Sequence, residues 1–220
     1  MGEALREGYR DKVFLMTKNH GRDGDAFREQ LEESLRRLNA DHVDLLQFHN
    51  IVAANDADRI FSHGAIEAAL DAKQQGKIRF IGFTGHHWPH LFHLMLEKEF
   101  SWDTVQHPLN PLDAQYRSFA RDILPLLNER HIGIIAMKIF SGGNLLKIDV
   151  TPREAISYAL SQKISTMVLG IDSLEHLSQN LQIVRNWQPM PAEEQDELVK
   201  RVAPWASGGQ LERYKTDPEY

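Results

Sequence analysis

Residues 43–50 read "VDLLQFHN", and the way this run ends decides the fold. Val43, Leu45, Leu46 and Phe48 make it so apolar and so rich in strand formers that it belongs inside a protein. It closes on His49, where such a strand would emerge from the core. Five other runs share the pattern: "VFLMTK" (13–18), "IRFIGFTG" (78–85), "DTVQHP" (103–108), "IGIIAMK" (132–138) and "TMVLGI" (166–171). Amphipathic segments with helical spacing separate them. "DAFREQLEESLRRLNA" brings Phe27, Leu31, Leu35 and Leu38 to one face, and "GAIEAALDAKQQGK" ends with Gly76 as the expected C-cap. "SFARDILPLLNERH" reads as one helix. "TPREAISYALSQK" opens on a capping box of Thr151 and Glu154 with Pro152 in the first turn.

Near-continuous apolarity suits a parallel sheet covered by helices. Most strand ends are about 30 residues apart, the length of a βα unit. Two architectures answer that description, a doubly wound open sheet and a (β/α)8 barrel, and both bind ligands at the carboxyl ends of their strands. Lys18, His49, Thr84, Gln106, Lys138 and Gly170 stand at those ends. A dinucleotide fold of the open kind needs a G-x-G-x-x-G turn after an early strand. "FTGHHW" and "IFSGGN" are the only glycine-bearing candidates and lack that spacing. The expected fold class is therefore α/β, a TIM-barrel type with six of the eight βα units visible. Residues 1–220 are expected to form one domain, with 210–220 as a polar C-terminal tail.

Composition narrows the function. The 220 residues are 42% apolar and 25% charged, with a formal charge of −6 and no basic block, which points away from nucleic acid. No apolar run approaches the ~20 residues of a membrane span, and "MGEALREGYRDK" lacks the apolar core of a signal peptide. A cytoplasmic location is expected. With no cysteine, thiolate metal sites, disulfides and cysteine nucleophiles are excluded.

Lys18 and His49 each admit two readings. A lysine at a strand terminus snorkels to water, or it lends a positive field to a neighbouring acid or anion. A histidine there is a hydrogen-bonded core residue or a proton carrier. Adjacent parallel strands lie ~4.8 Å apart, so the two side chains can share one pocket. "HHWPHLFH", with His86, His87, His90 and His93, suggests a metal-dependent hydrolase instead. No carboxylate accompanies these histidines in a recognisable ligand motif, and no metal is expected.

"VFLMTK", "FREQLEESLRRLNADHVDLLQFHN", "GKIRFIGFTG" and "VLGIDSLEHLSQNL" together resemble the aldo-keto reductase family across residues 3–190. The resemblance implies a (β/α)8 barrel in which NADPH or NADH delivers hydride to an aldehyde or ketone. Lys18 matches the lysine that lowers the pKa of the family's catalytic tyrosine. His49 matches the histidine that orients the carbonyl and assists proton transfer. Thr84 and Gln106 match contacts to the nicotinamide amide. Met137 takes the place where an aromatic ring often stacks on the nicotinamide, and Lys138 follows it. Gly170, Asp172, Ser173, His176, Gln179 and Asn180 match the adenine end. Gly170 and His176 replace the lysine and arginine with which NADPH-preferring members grip the 2′-phosphate, and Asp172 would repel that phosphate, so NADH is also expected to serve.

By the same resemblance the catalytic tyrosine and aspartate precede the strand that carries Lys18. The chain is therefore expected to be an N-terminally truncated reductase without the first two βα units. Tyr9, Tyr116, Tyr158, Tyr214 and Tyr220 are poorly placed to replace the tyrosine, so activity is expected to be impaired. Strands 13–18 and 166–171 would then be apolar edges prone to self-association. The alternative function is a non-catalytic barrel that binds nucleotide or acts as a regulatory subunit, with the metal hydrolase ranked third.

Overall fold

Strands and helices alternate along the chain as the apolar runs and amphipathic segments require. A computed structural model describes residues 1–217. In order they form β1 (Met16–Asn19), α1 (Gly24–Leu38), β2 (Val43–Phe48), α2 (Asp56–Ser62), α3 (Ala65–Gln74), β3 (Ile78–Thr84), α4 (Pro89–Leu96), β4 (Thr104–Pro108), α5 (Phe119–Asp122), α6 (Leu124–Glu129), β5 (Gly133–Met137), α7 (Pro152–Leu160), β6 (Thr166–Met167), α8 (Leu174–Arg185), α9 (Ala192–Ala206) and α10 (Arg213–Thr216). The strands are hydrogen-bonded in the order β1-β2-β3-β4-β5-β6, the α/β sheet expected from the pattern. No helix among the described residues is long and apolar enough to cross a membrane.

The chain divides into two units, residues 1–85 with 90–105 and residues 86–89 with 106–217 among those described. In the first, β1, β2 and β3 pair in parallel, Lys18 opposite Gln47 and Gln47 opposite Gly82. Every residue of β2 is buried, which is what a strand covered on both faces demands. Gly82 is required here, because a Cβ would stand 2.3 Å from Thr104 Oγ1. Helix α1 buries Phe27, Leu31 and Leu35, while Leu38, assigned to the same face, stays half-exposed at the helix end. Asp23 caps its start by accepting from the Ala26 amide, and Asn39 closes it in the left-handed region. Trp102 is packed by Phe48, Phe61, Phe83 and Phe100, with ring centroids 4.6–6.1 Å apart. Gly76 lies just beyond α3 at φ 72°, as a helix-ending glycine should.

In the second unit β5 and β6 pair in parallel over a core that includes Leu109, Leu112, Leu145, Ile156 and Val202. The capping box at Thr151 and Glu154 forms with both of its hydrogen bonds. Four boundaries depart from the sequence reading. "SFARDILPLLNERH" breaks into α5 and α6 because Pro125 has no amide to continue a helix and sits in the first turn of the second one. Residues 13–15 do not join β1; Val13 and Phe14 are exposed, and the strand runs on to Asn19. β6 contracts to two residues, so Gly170 lies beyond the strand rather than at its end. Gln106 falls in the middle of β4.

The segment 210–220, polar in composition, is not a surface tail over its described part. Glu212, Tyr214 and Lys215 are all buried to 1% exposure or less. Tyr220, one of the tyrosines weighed above, lies outside the described residues.

Candidate functional site

Two groups of predicted residues come together, one in each unit. In the first unit, Lys18 and Gln47 stand at the same level of adjacent parallel strands, so their side chains share a face. His49 follows β2 and donates its backbone amide to Asn19 O at 2.8 Å. Thr84 closes β3; its carbonyl accepts from the Ile51 amide at 3.0 Å. The Thr84 hydroxyl is fully buried and has no hydrogen-bond partner among the described residues. Such a group normally finds a partner, and here a ligand would supply one.

The loops holding Lys18 and His49 are tied together by a residue the sequence reading passed over. Arg22 is 8% exposed and donates from Nη1 to the carbonyls of both His20 (3.2 Å) and His49 (2.9 Å). Its Nη2 reaches Asn50 O at 2.9 Å, and its Nε pairs with Asp56 Oδ1 at 2.8 Å. Burial works against the charged form of Asp56, yet the Arg22 guanidinium and the amides of Ala53 and Val52 hold its carboxyl below the usual carboxylate range. His20 is exposed, and its Nε2 lies 3.1 Å from His49 Nδ1, with the two rings edge to face. One signal could have found it: two residues beyond Lys18, His20 falls on the same side of an extended chain.

In the second unit a cavity of about 740 Å³ opens beside β5 and the start of α8. Gln106, Met137, Lys138, Gly170, Asp172 and His176 line it, as do Gln179 and Asn180. Ser173, grouped with them by sequence, is not in the lining; it caps α8 by accepting from the His176 amide at 3.0 Å. The adjacent amides and helix dipole favour an anionic group there. Gln106 donates from Nε2 to Met137 Sδ at 3.2 Å, leaving its buried Oε1 without a partner among the described residues. A carbonyl oxygen so placed asks for an N–H donor, which a nicotinamide carboxamide has. Apart from its chain neighbours, nothing among the described residues lies within 4 Å of where a Cβ on Gly170 would project, so this wall has room for a ring. These features fit a nicotinamide dinucleotide.

Sequence reading missed part of this cavity. Gly142 and Gly143 line it. They belong to "IFSGGN", set aside above for lacking the dinucleotide spacing. Gly142 and Gly143 both have positive φ, a left-handed backbone that glycine adopts without strain. At the rim, Asp172 pairs with His176 Nδ1, a contact that lowers the carboxyl pKa.

Two histidines of the histidine-rich segment hold backbone carbonyls. His86 donates through Nδ1 to Tyr214 O at 2.7 Å, and His87 through Nε2 to Asp217 O at 3.1 Å. No group of three or more potential ligands among the described residues could hold a metal ion. Burial, aided by the neighbouring His87 and Lys138, lowers the His86 pKa from 6.5 to about 4, against the pull of the Tyr214 carbonyl. Below pH 6.5 the unfolded histidine takes a proton that the folded one resists until about pH 4. The contribution of neutral His86 to the stability of the second unit should therefore be fully present above that window and fall by up to about 3 kcal/mol as pH drops through it. Fully buried His107, also lowered by desolvation, adds in the same direction. Urea midpoints from pH 8 to 4 should show a shallower decline for His86→Asn, and equal slopes would contradict this account.

Residues 1–155 match the model of the Aldo/keto reductase family. Among curated proteins, "Uncharacterized oxidoreductase YrpG" of Bacillus subtilis is 30% identical over 122 residues, covering 54% of this chain and 35% of that protein. "L-galactose dehydrogenase" of Arabidopsis thaliana is 26% identical over 82% of this chain and 67% of its own length. The chain spans about a third of the length of the first curated relatives it matches. Among solved structures, the holo form of aldo-keto reductase AKR11C1 from Bacillus halodurans superposes with a TM-score of 0.72 at 22% identity, over 96% of this chain and 78% of that one. At that identity the likeness is one of fold.

Proposed function

The chain belongs to the aldo/keto reductase family, and from that premise we propose that it interconverts an aldehyde or ketone with the corresponding alcohol, using NADH or NADPH. The observation that carries this reading is the cavity of the second unit. There Gln106 offers a partnerless buried acceptor, and the residues expected for the adenine end gather around the capped start of α8.

Gln106, Met137, Lys138, Gly170, Asp172, Ser173, His176, Gln179 and Asn180 would hold the nicotinamide cofactor in the second unit, and in the first unit the buried Thr84 hydroxyl would take a hydrogen bond from a ligand. When bound, the cofactor supplies a hydride to the carbonyl carbon. The protein's own contribution follows from the charge that develops on oxygen. Lys18 provides a positive field for the incipient alkoxide, and His49 donates a hydrogen bond to the carbonyl and then a proton. The substrate is a small carbonyl compound rather than nucleic acid, and the setting is cytoplasmic. Self-association through apolar side chains exposed beside β1 and β6, among them Phe14, Ile171 and Leu174, belongs to the same reading.

Between the two cofactors the rim favours NADH. Asp172 is exposed and would set a negative charge against a 2′-phosphate on this reading, and Gly170 offers no cation to bind one. Asp172→Asn should raise NADPH affinity relative to NADH severalfold by removing like-charge repulsion, an effect that shrinks as salt is added. An unchanged ratio would place the phosphate elsewhere.

Calorimetric titration of the folded chain with each cofactor, followed by turnover of a panel of aldehydes, tests the function. Saturable binding with aldehyde-dependent oxidation of the cofactor is expected. Binding without turnover would make the chain a nucleotide-binding barrel, and no binding would remove the reading.

A further inference from the structure

We propose that His20 is the outer half of a two-histidine proton relay, delivering a proton from solvent to His49 during carbonyl reduction. The proposal rests on the reductase reading above.

Three observations support it. His20 Nε2 and His49 Nδ1 are 3.1 Å apart, a hydrogen bond that lets only one of the two nitrogens carry the proton at a time. The outer ring is exposed to water. The arrangement is also held in place: Arg22 Nη1 donates to the carbonyls of both histidines, and its charge is anchored by the buried Asp56. The His20 amide is fixed as well, donating to Gln30 Oε1 at 2.8 Å. Nothing about an incidental surface contact calls for a buried ion pair that grips both partners.

Reduction adds a hydride to carbon, from the reduced nicotinamide, and a proton to oxygen. For His49 to donate from Nε2, its Nδ1 must be the bare nitrogen, so His20 Nε2 carries the hydrogen between them. As the alkoxide takes the proton from His49 Nε2, the His20 Nε2 proton moves to His49 Nδ1, and His20 Nδ1 takes one from water. Both rings end neutral in the opposite tautomer, with the hydrogen bond reversed. Water reaching His49 Nε2 after the product leaves resets the pair by the reverse transfers. The reversed state is also the base needed for alcohol oxidation, so one relay serves both directions.

His20→Gln separates relay from mere positioning, since a glutamine amide can donate to His49 Nδ1 but cannot pass a proton on. With a panel of 4-nitrobenzaldehyde, methylglyoxal and glyceraldehyde, His20→Gln and His20→Ala should both lower kcat about tenfold to a hundredfold. KM for the cofactor should stay unchanged, and added imidazole should restore the alanine variant. Nitrogen NMR of the wild-type rings should show coupling across the N–H···N bond without any substrate. The relay is overturned if that coupling is absent, if His20→Gln turns over like the wild type, or if imidazole fails to rescue His20→Ala. A wild type that binds neither cofactor and reduces none of the aldehydes overturns the reductase reading and the relay with it. A fully active His20→Ala overturns the relay alone.

Discussion

Lys215→Met is expected to unfold the second unit or bring it close to unfolding. The ammonium is completely buried and sits 2.6 Å from Asp113 Oδ1, 3.0 Å from Glu212 Oε1 and 2.7 Å from the carbonyl of Tyr116. Methionine keeps the length of the stem, so little volume is lost, and what disappears is the cation between two carboxylates. Asp113 would keep Ser118 Oγ and the Phe119 and Ala120 amides, and Glu212 would keep the Tyr214 hydroxyl at 2.7 Å. Neither set neutralises a buried charge. Glu212 is already pushed above the ordinary carboxylate range by burial and by Asp113, with Lys215 as the main counterweight. Removing one partner of a buried pair costs about 3–5 kcal/mol, a large part of a marginal stability. Urea unfolding should report that loss. Adding Asp113→Asn and Glu212→Gln to Lys215→Met should recover much of it, because the charges left stranded are then gone. A single variant with the wild-type midpoint would refute the argument.

That network was invisible in the sequence, and the reason is physical. Fold-level signals are periodic: the apolar run at 43–48, the spacing of Phe27, Leu31 and Leu35, and the capping box at Thr151 each repeat or pair at short range, so a local reading recovers them. Lys215 meets Asp113 across 102 residues, and Arg22 meets Asp56 across 34. No local pattern encodes such a partner. A lysine in "LERYKTDPEY" therefore reads as solvated until the fold places it. The candidate site divides in the same way. Lys18 and His49 draw attention because apolar strands mark their own ends, whereas the residues around α8 stand out only through the family resemblance of "VLGIDSLEHLSQNL". The histidine that touches His49 leaves only its spacing from Lys18 as a signal, and the glycine turn that walls the cavity shows as "IFSGGN" without the dinucleotide spacing, because loop residues act through neighbours that only the tertiary structure supplies.

The largest catalytic effect is expected from Lys18→Met. Lys18 stands at the penultimate position of β1, half-buried, opposite Gln47 and on the strand face that leads to His49. Hydride arrival at a carbonyl carbon leaves a full negative charge on oxygen, and a fixed cation in a partly dehydrated site lowers that barrier far more than it would in water. Methionine fills the same space without charge, so substrate and cofactor should still bind while the charge-bearing transition state is disfavoured. Turnover should fall by about a hundredfold to ten-thousandfold. KM for the aldehyde should change little, since the neutral carbonyl asks little of the ammonium. Rapid-mixing measurement of a single turnover separates this from a slower product release. The competing account makes Lys18 a strand-end lysine that merely keeps its charge in water. On that account Lys18→Met would shift the urea midpoint slightly and leave the chemical step untouched. A wild-type single-turnover rate in the methionine variant would thus remove Lys18 from the chemistry and leave His49 to carry the oxygen's charge through its own proton.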